Sequence, residues 1–342
     1  MKKEWLVDVP VKFILWTRPE CTRKGFEVIK KARPSVLFLV SDGPRNEEER
    51  KLINESRKIV EDIDWDCTVH RVYYETNQGM YKMMQLSGRY IFDKVDRCII
   101  LEDDDIPAVS FFQFCYEMLK KYENDERIGF ITGHNHFGTY EKGNSDYFFS
   151  KEGSIYGFAV WKRSYMPFLE KDFDFLEDDY LTNLILTNAK SAPAFTKAIK
   201  YKKKGYLYGG HEPGEEFYQS LLVHGQNQLQ IVPCKNMISN IGIVGDGAHT
   251  AAYRALDKTR KKLYCQPVYE YEFPLRHPKY VVPDTIYEKK RNRLLAQGHP
   301  IIFFYRKAIT AIKMVLLGDG KKAINKIIYQ IKSRKTKGVS ET

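Results

Sequence analysis

The sequence predicts an α/β fold, a doubly wound and mostly parallel sheet. Three observations carry that prediction. Apolar runs of strand length alternate with stretches of helical spacing over residues 1–135. Turn residues separate them, as in "SDGP" at 41–44. Three strand ends are loaded with polar chemistry: Thr17-Arg18, Ser41-Asp42-Gly43 and Glu102 to Asp105. Open parallel sheets bind ligands beyond the carboxyl ends of their strands, so this agreement points to a site.

The elements follow in order. "VKFILW" at 11–16 has the length of a buried strand, and "TRPE" breaks it. Residues 20–32 carry helical spacing through Phe26, Ile29 and Ala32, and Pro34 ends the helix. Val36 to Val40 form the second strand. A charged helix from Glu47 to Asp62 has Leu52, Ile53, Ile59, Val60 and Ile63 as its stripe. "CTVHRVYY" alternates as a third strand, 79–92 is helical, and "CIIL" is the fourth strand. Residues 110–122 return to helical spacing with Ser110 as N-cap, and "IGFITG" is the fifth strand. Residues 137–235 show few clean periods. There, "GSIYGFAVWKRSYM" reads as a strand pair or a strand entering a helix, "EEFYQSLLVH" as a helix and "LQIVP" as a strand.

Of the 342 residues 43% are hydrophobic, enough for a large core and against general disorder. The six cysteines make no C-x-x-C pair, so they read as buried thiols in a reducing cytosol, not a zinc site or disulfide framework. No signal peptide is visible, and no run of 18 apolar residues predicts a spanning helix. The net charge of +11 is concentrated at one end. Residues 299–342 hold ten Lys or Arg against Asp319 and Glu341, leaving only +3 for residues 1–298. The expected organisation is therefore a catalytic domain over 1–298 and a basic tail over 299–342, with no nucleic-acid partner.

The stretch "RCIILEDDDIPAVSFFQF" at 97–114 sets the chemical question. Glu102, Asp103, Asp104 and Asp105 follow a buried strand. Close carboxylates raise one another's pKa unless a cation lies between them. Capping the next helix is the plain alternative, but four acids exceed what a cap needs. Mg²⁺ or Mn²⁺ takes hard oxygen ligands and is held by one or two carboxylates when a diphosphate supplies the rest. Strand alternation would put Glu102 and Asp104 on one side, Asp103 and Asp105 on the other. No G-x-G-x-x-G or G-x-x-x-x-G-K-[ST] loop occurs to cradle phosphate.

Strand, "EDD", a Pro/Ala turn and "FF" opening a helix resemble the metal-binding segment of GT-A glycosyltransferases. The likeness is to the N-acetylglucosaminyltransferase I type and to bacterial enzymes of surface polysaccharide synthesis. "NQGMYKMM", "LVSDG" and "SNIGIVGDGAHT" resemble further segments in the same order, covering residues 11–250. The resemblance implies a GT-A sheet and a metal-dependent, inverting transfer from a nucleotide-sugar, a UDP-sugar favoured, to a glycan or lipid-linked glycan. Carried over, Asp104 matches the metal ligand, with Asp105 a second candidate because Asp103-x-Asp105 is also a D-x-D. Glu102 and Asp103 match residues facing the donor ribose and sugar, Asp42 the uracil contact, and Thr17 and Arg18 the base-side wall. Gln78 and Lys82 belong to the matched donor segment, and Trp161 resembles an aromatic beside the sugar. A late His implies His249 as a further metal ligand. The resemblance also implies a carboxylate, after the second half of the sheet, as the general base. Candidates are Asp178-Asp179 and Glu215-Glu216, with Glu216 preferred to Glu215.

His134 and His136 are candidates for the acceptor side. In the tail, "IIFFYRKAITAIKMVLL" and "AINKIIYQIK" both place apolar residues on one face with Lys and Arg elsewhere. Basic amphipathic helices of this kind lie in anionic membrane interfaces, which implies a cytoplasmic protein peripheral to the inner face of the cell membrane. Two other function classes compete. A nucleotidyltransferase acting on a sugar phosphate also uses an acidic metal site, but "TRPECTRKG" is a poor Gly-rich basic loop. A membrane-bound binding protein on a degenerate transferase fold would not need intact acids.

Overall fold

The computed structural model describes residues 2–141, 143–170, 177–189, 215–243 and 256–316, and isolated positions near 192–199 and 253–254. Strands are β1 (Val7–Leu15), β2 (Pro34–Ser41), β3 (Thr68–Tyr73), β4 (Arg97–Glu102), β5 (Asp105–Pro107), β6 (Ile128–Thr132), β7 (Tyr147–Ser150), β8 (Phe158–Trp161), β9 (Leu229–Pro233) and β10 (Ile238–Asn240). Helices are α1 (Pro19–Ala32), α2 (Glu47–Ile59), α3 (Met80–Phe92), α4 (Ser110–Lys121), α5 (Lys162–Glu170), α6 (Asp179–Asn188), α7 (Glu215–Gly225), α8 (Lys258–Lys261), α9 (Thr285–Leu294) and α10 (Pro300–Leu316).

Eight strands form one sheet in the order β3-β2-β1-β4-β8-β6-β9-β7. The run from β3 to β4 is parallel, β6 and β9 share its direction, and only β8 and β7 oppose it. This is the predicted doubly wound α/β fold. Strand alternation splits the core in two. Val11, Phe13, Leu37, Leu39, Ile99 and Leu101 face α1 and α4. Ile14, Phe38, Val40, Cys98 and Ile100 face α3, α5 and α7. Strands buried on both faces read as continuous apolar runs, which is why β1, β2 and β4 are evident in the sequence.

Local signals explain the helices. Asn46 caps α2 by accepting from Glu49 N at 2.9 Å, with Glu47, Glu48 and Glu49 in the first turn. Pro19 starts α1, and Arg33 ends it in the left-handed region at φ 46. "GSIYGFAVWKRSYM" resolves as β8 running into α5.

Two expectations fail. Ser110 does not cap α4. Instead Glu270 accepts from the N–H groups of Val109 and Ser110, at 2.9 and 2.7 Å, while the Ser110 hydroxyl accepts from Tyr271 N. A carboxylate from a distant segment satisfies the orphan donors of the first turn better than one hydroxyl could. Nor are all six thiols buried: Cys67 is half-buried and Cys265 exposed, although all six are free.

Candidate active site

The C-terminal ends of β1, β2 and β4 bring the loaded turns together. Asp42, just past β2, is fully engaged. Its Oδ1 accepts from Gly43 N and Gln78 N, each at 2.8 Å. Its Oδ2 accepts from Asn77 Nδ2 at 3.0 Å and Gly79 N at 3.1 Å. These four donors fill the lone-pair directions of the carboxylate. Asp42 therefore staples the 77–79 loop to the end of β2 and sets the entry to α3 at Gly79, φ 79. Gly43 makes the crossing possible, since a Cβ there would lie 2.3 Å from the Thr76 carbonyl carbon. Asp42, the expected uracil contact, is given over to these four donors in this structure.

The acid turn departs from strand alternation. β4 ends at Glu102, residues 103–104 form a turn, and β5 pairs antiparallel with β10. Asp103 and Asp104 consequently face the same cation. Arg18 Nη1 meets Asp104 Oδ2 at 2.6 Å, and Nη2 meets Asp103 Oδ1. Trp16 N also donates to Asp103 Oδ2 at 3.4 Å. Burial pushes the Asp103 carboxyl up to about 6; Arg18 opposes that rise and Asp104 adds to it. Burial disfavours the charged Arg18, yet the paired acids hold its pKa above the usual guanidinium value.

Asp104 Oδ1 is buried and has no hydrogen-bond partner. The backbone of Gly242 closes over the same side chain, where a Cβ would stand 2.0 Å from Oδ2. Ile241 N donates to the Asp104 carbonyl at 2.9 Å. Asp105 is turned elsewhere. Its Oδ2 accepts from Gly157 N at 2.9 Å and Glu102 N at 3.4 Å, and its Oδ1 from Asn240 Nδ2 at 3.2 Å. Burial, and then the charge of Asp104, raise its carboxyl well above the usual range. Asp105, the second candidate for the metal, here ties β5 to β10 and to the head of β8.

Asp103 and Asp104 offer a divalent cation oxygen donors, although Arg18 already holds both. They are hard oxygen donors, one oxygen is buried and unpartnered, and a guanidinium already answers their charge. Among the described residues no group of three His, Cys, Asp or Glu could hold a metal.

The other predicted residues scatter. Glu102 closes β4 opposite Ile14, and Thr17 lies in the β1–α1 turn. The Gln78 amide donates to Thr76, and Lys82 is exposed in the first turn of α3. Trp161 is corrected. It is 5% exposed, donates to the Leu119 carbonyl at 3.2 Å, and pairs with Arg97 at the opposite end of β4 from the acids. Asp178 caps α6 by accepting from Leu181 N at 3.0 Å. Glu215 and Glu216 open α7, though their side chains lie outside the described residues, as does all of His249. Trp16 was missed. Its Nε1 donates to Gly43 O at 3.3 Å and Arg45 covers its ring at 4.7 Å, joining the ends of β1 and β2. Its place at the close of an apolar run was the available signal.

His134 and His136 follow β6 at the same end of the sheet. Both ring nitrogens of His134 are buried without partners, and burial with Arg291 nearby holds its pKa down to about 3. His136 is pushed down the same way and meets the Tyr287 hydroxyl at 3.3 Å. Arg291, from α9, pairs with Glu152 at 2.7 Å.

No family model and no curated protein matches the chain. Solved structures similar to it include a UDP-glucose pyrophosphorylase complexed with UDP-glucose, at 9% identity and TM-score 0.34, covering 69% of this chain and 94% of that one. TarS of S. aureus is similar at 10% identity and TM-score 0.35, covering 68% and 59%. Mouse xyloside xylosyltransferase 1 is similar at 12% identity and TM-score 0.37, covering 66% and 85%. Likenesses this remote assign no family.

Proposed function

We propose that the chain is a metal-dependent glycosyltransferase that moves a sugar from a nucleoside-diphosphate donor, a UDP-sugar favoured, to a glycan or lipid-linked glycan. The observation that carries the reading is Asp103 and Asp104 converging on Arg18 beyond the parallel strands, with Asp104 Oδ1 buried and unpartnered. Asp103 and Asp104 would hold Mn²⁺ or Mg²⁺, which supplies Lewis-acid neutralisation of the departing diphosphate. Arg18, partly exposed, would turn from the acids toward the diphosphate oxygens as the donor arrives, and so bind and orient them. The stapled 77–79 loop and Trp16 would wall the nucleoside. Glu216, or Glu215 beside it, would accept the proton of the acceptor hydroxyl, giving inversion. Work at the inner membrane face agrees with the basic tail.

The test is incubation with UDP-, GDP-, CMP- and dTDP-sugars and Mn²⁺, reading thermal stabilisation and released nucleotide. One donor should stabilise the protein and release nucleoside diphosphate, or monophosphate from a CMP-sugar. Asp104→Asn should lower turnover by about a thousandfold. Pyrophosphate formed from a nucleoside triphosphate and a sugar phosphate would establish nucleotidyl transfer instead. No response to any donor would remove the proposal.

A further inference from the structure

Helix α10 is amphipathic in the reverse of the usual sense. Three of its polar side chains face the protein. Arg306 Nη1 donates to the Leu294 carbonyl at 2.5 Å, Thr310 Oγ1 accepts from Arg260 Nη2 at 2.6 Å, and Lys313 Nζ donates to the Leu256 carbonyl at 3.0 Å. These three residues are spaced i, i+4, i+7 and share one face. The opposite face is apolar and open. Ile301 is 84% exposed, Phe304 68%, Tyr305 65%, Ile312 59%, Val315 57% and Leu316 79%. A surface helix ordinarily buries such a stripe, and a contiguous patch of large apolar groups marks an interaction surface.

We propose that this outward face of α10 is a docking surface for an anionic lipid bilayer, with the helix lying in the plane of the interface. Three observations select that partner. No helix among the described residues is long and apolar enough to cross a membrane, so α10 lies on a bilayer rather than in it. Lys307 is exposed on the helix, and residues 317–342 add seven Lys or Arg against Asp319 and Glu341. Apolar insertion beside clustered basic charge is the chemistry that anionic lipid recognises. A second copy of the chain is disfavoured by charge, because a two-fold contact through α10 would set beside each other two helices that each carry Arg306, Lys307 and Lys313 and no acid.

The surface is also tied to the acid turn. Leu256 and Arg260 hold α10, and further along that segment Cys265 N donates to Asn240 O at 2.9 Å. Asn240 in turn holds Asp105. Docking therefore goes beyond the proposed transfer reaction, and its test needs no donor.

The test is co-sedimentation of the full chain with vesicles of phosphatidylcholine alone and of phosphatidylcholine mixed with phosphatidylglycerol. The protein should bind the mixed vesicles, not the neutral ones, and added salt should weaken binding. Phe304→Ser combined with Ile312→Ser should lower partitioning at least about tenfold. Its melting temperature and its mass by light scattering should stay unchanged. Equal binding to both vesicles, or undiminished binding by the double variant, would overturn the proposal. A dimer that the substitutions dissolve would assign the face to a second copy, and a collapsed melting temperature would assign it to the core.

Discussion

Two regions at one end of the sheet handle buried polar groups in opposite ways. Beyond β2 and β4, the carboxylates of Asp42, Asp103 and Asp105 are supplied with backbone N–H groups, amides or a guanidinium. Beyond β6, His134 is buried with neither ring nitrogen partnered, and it stays neutral instead. Arg18 opposes the rise that burial imposes on Asp103, burial and Asp104 still push Asp105 up, and His134, with no donor or acceptor beside it, is pushed down. The histidine region, sealed by Arg291 and Tyr287 of α9, holds shape.

The strongest way to break this contrast is Asp42→Ala, which strands four donors and frees the 77–79 loop. It should cost about 4 kcal/mol by urea denaturation and abolish stabilisation by any nucleotide. A loss within about 0.5 kcal/mol would show that the staple carries no weight.

The pH dependence should separate the regions by sign. His134 titrates near 6.5 when unfolded and about 3 when folded, so the stability it confers is full above 6.5 and is lost as pH falls toward 3. Asp103 has its folded pKa raised from 3.8 to about 6, so its contribution is full below 3.8 and is lost as pH rises to about 6. Each slope approaches about 1.4 kcal/mol per pH unit. Urea melts of His134→Gln and Asp103→Asn between pH 4 and about 6 should change slope in opposite directions. A common direction would end the comparison.

The mildest effect belongs to the far end. Trp161→Phe removes the bond to Leu119 and loosens the Arg163 guanidinium stacked 4.4 Å from its ring. It should cost about 1 kcal/mol and leave transfer rates unchanged. A fall in rate without a fall in stability would return Trp161 to the sugar site.

The sheet was readable because β1, β2, β4 and β6 are apolar on both faces. The site was readable only as a collection of turns. Alternation misplaced Asp103 and Asp104 because nothing in "LEDDD" marks Glu102 as the last strand residue. Asp105, Asp42 and Ser110 have partners or replacements at Asn240, Gln78 and Glu270, and such pairings leave no local trace. Trp161 illustrates a different limit: an aromatic in an apolar run fits a core and a sugar platform equally well. The outward face of α10 was legible as amphipathic, but its sense was not, because the spacing is the same whichever face turns inward.

The clamp on the acid turn also orders events while the chain is being made. Arg18 and Asp104 are 86 residues apart in sequence, Asp105 and Asn240 are 135 apart, and Val109 and Glu270 are 161 apart. A ribosome adding roughly 5–20 residues per second releases β1, β2 and β4 well before β10, an interval of roughly 7–27 s. Throughout it the acids have Arg18 but neither Asn240 nor the lid of Gly242. The parallel half of the sheet can assemble early, while the acid turn it carries is finished by chain that emerges last.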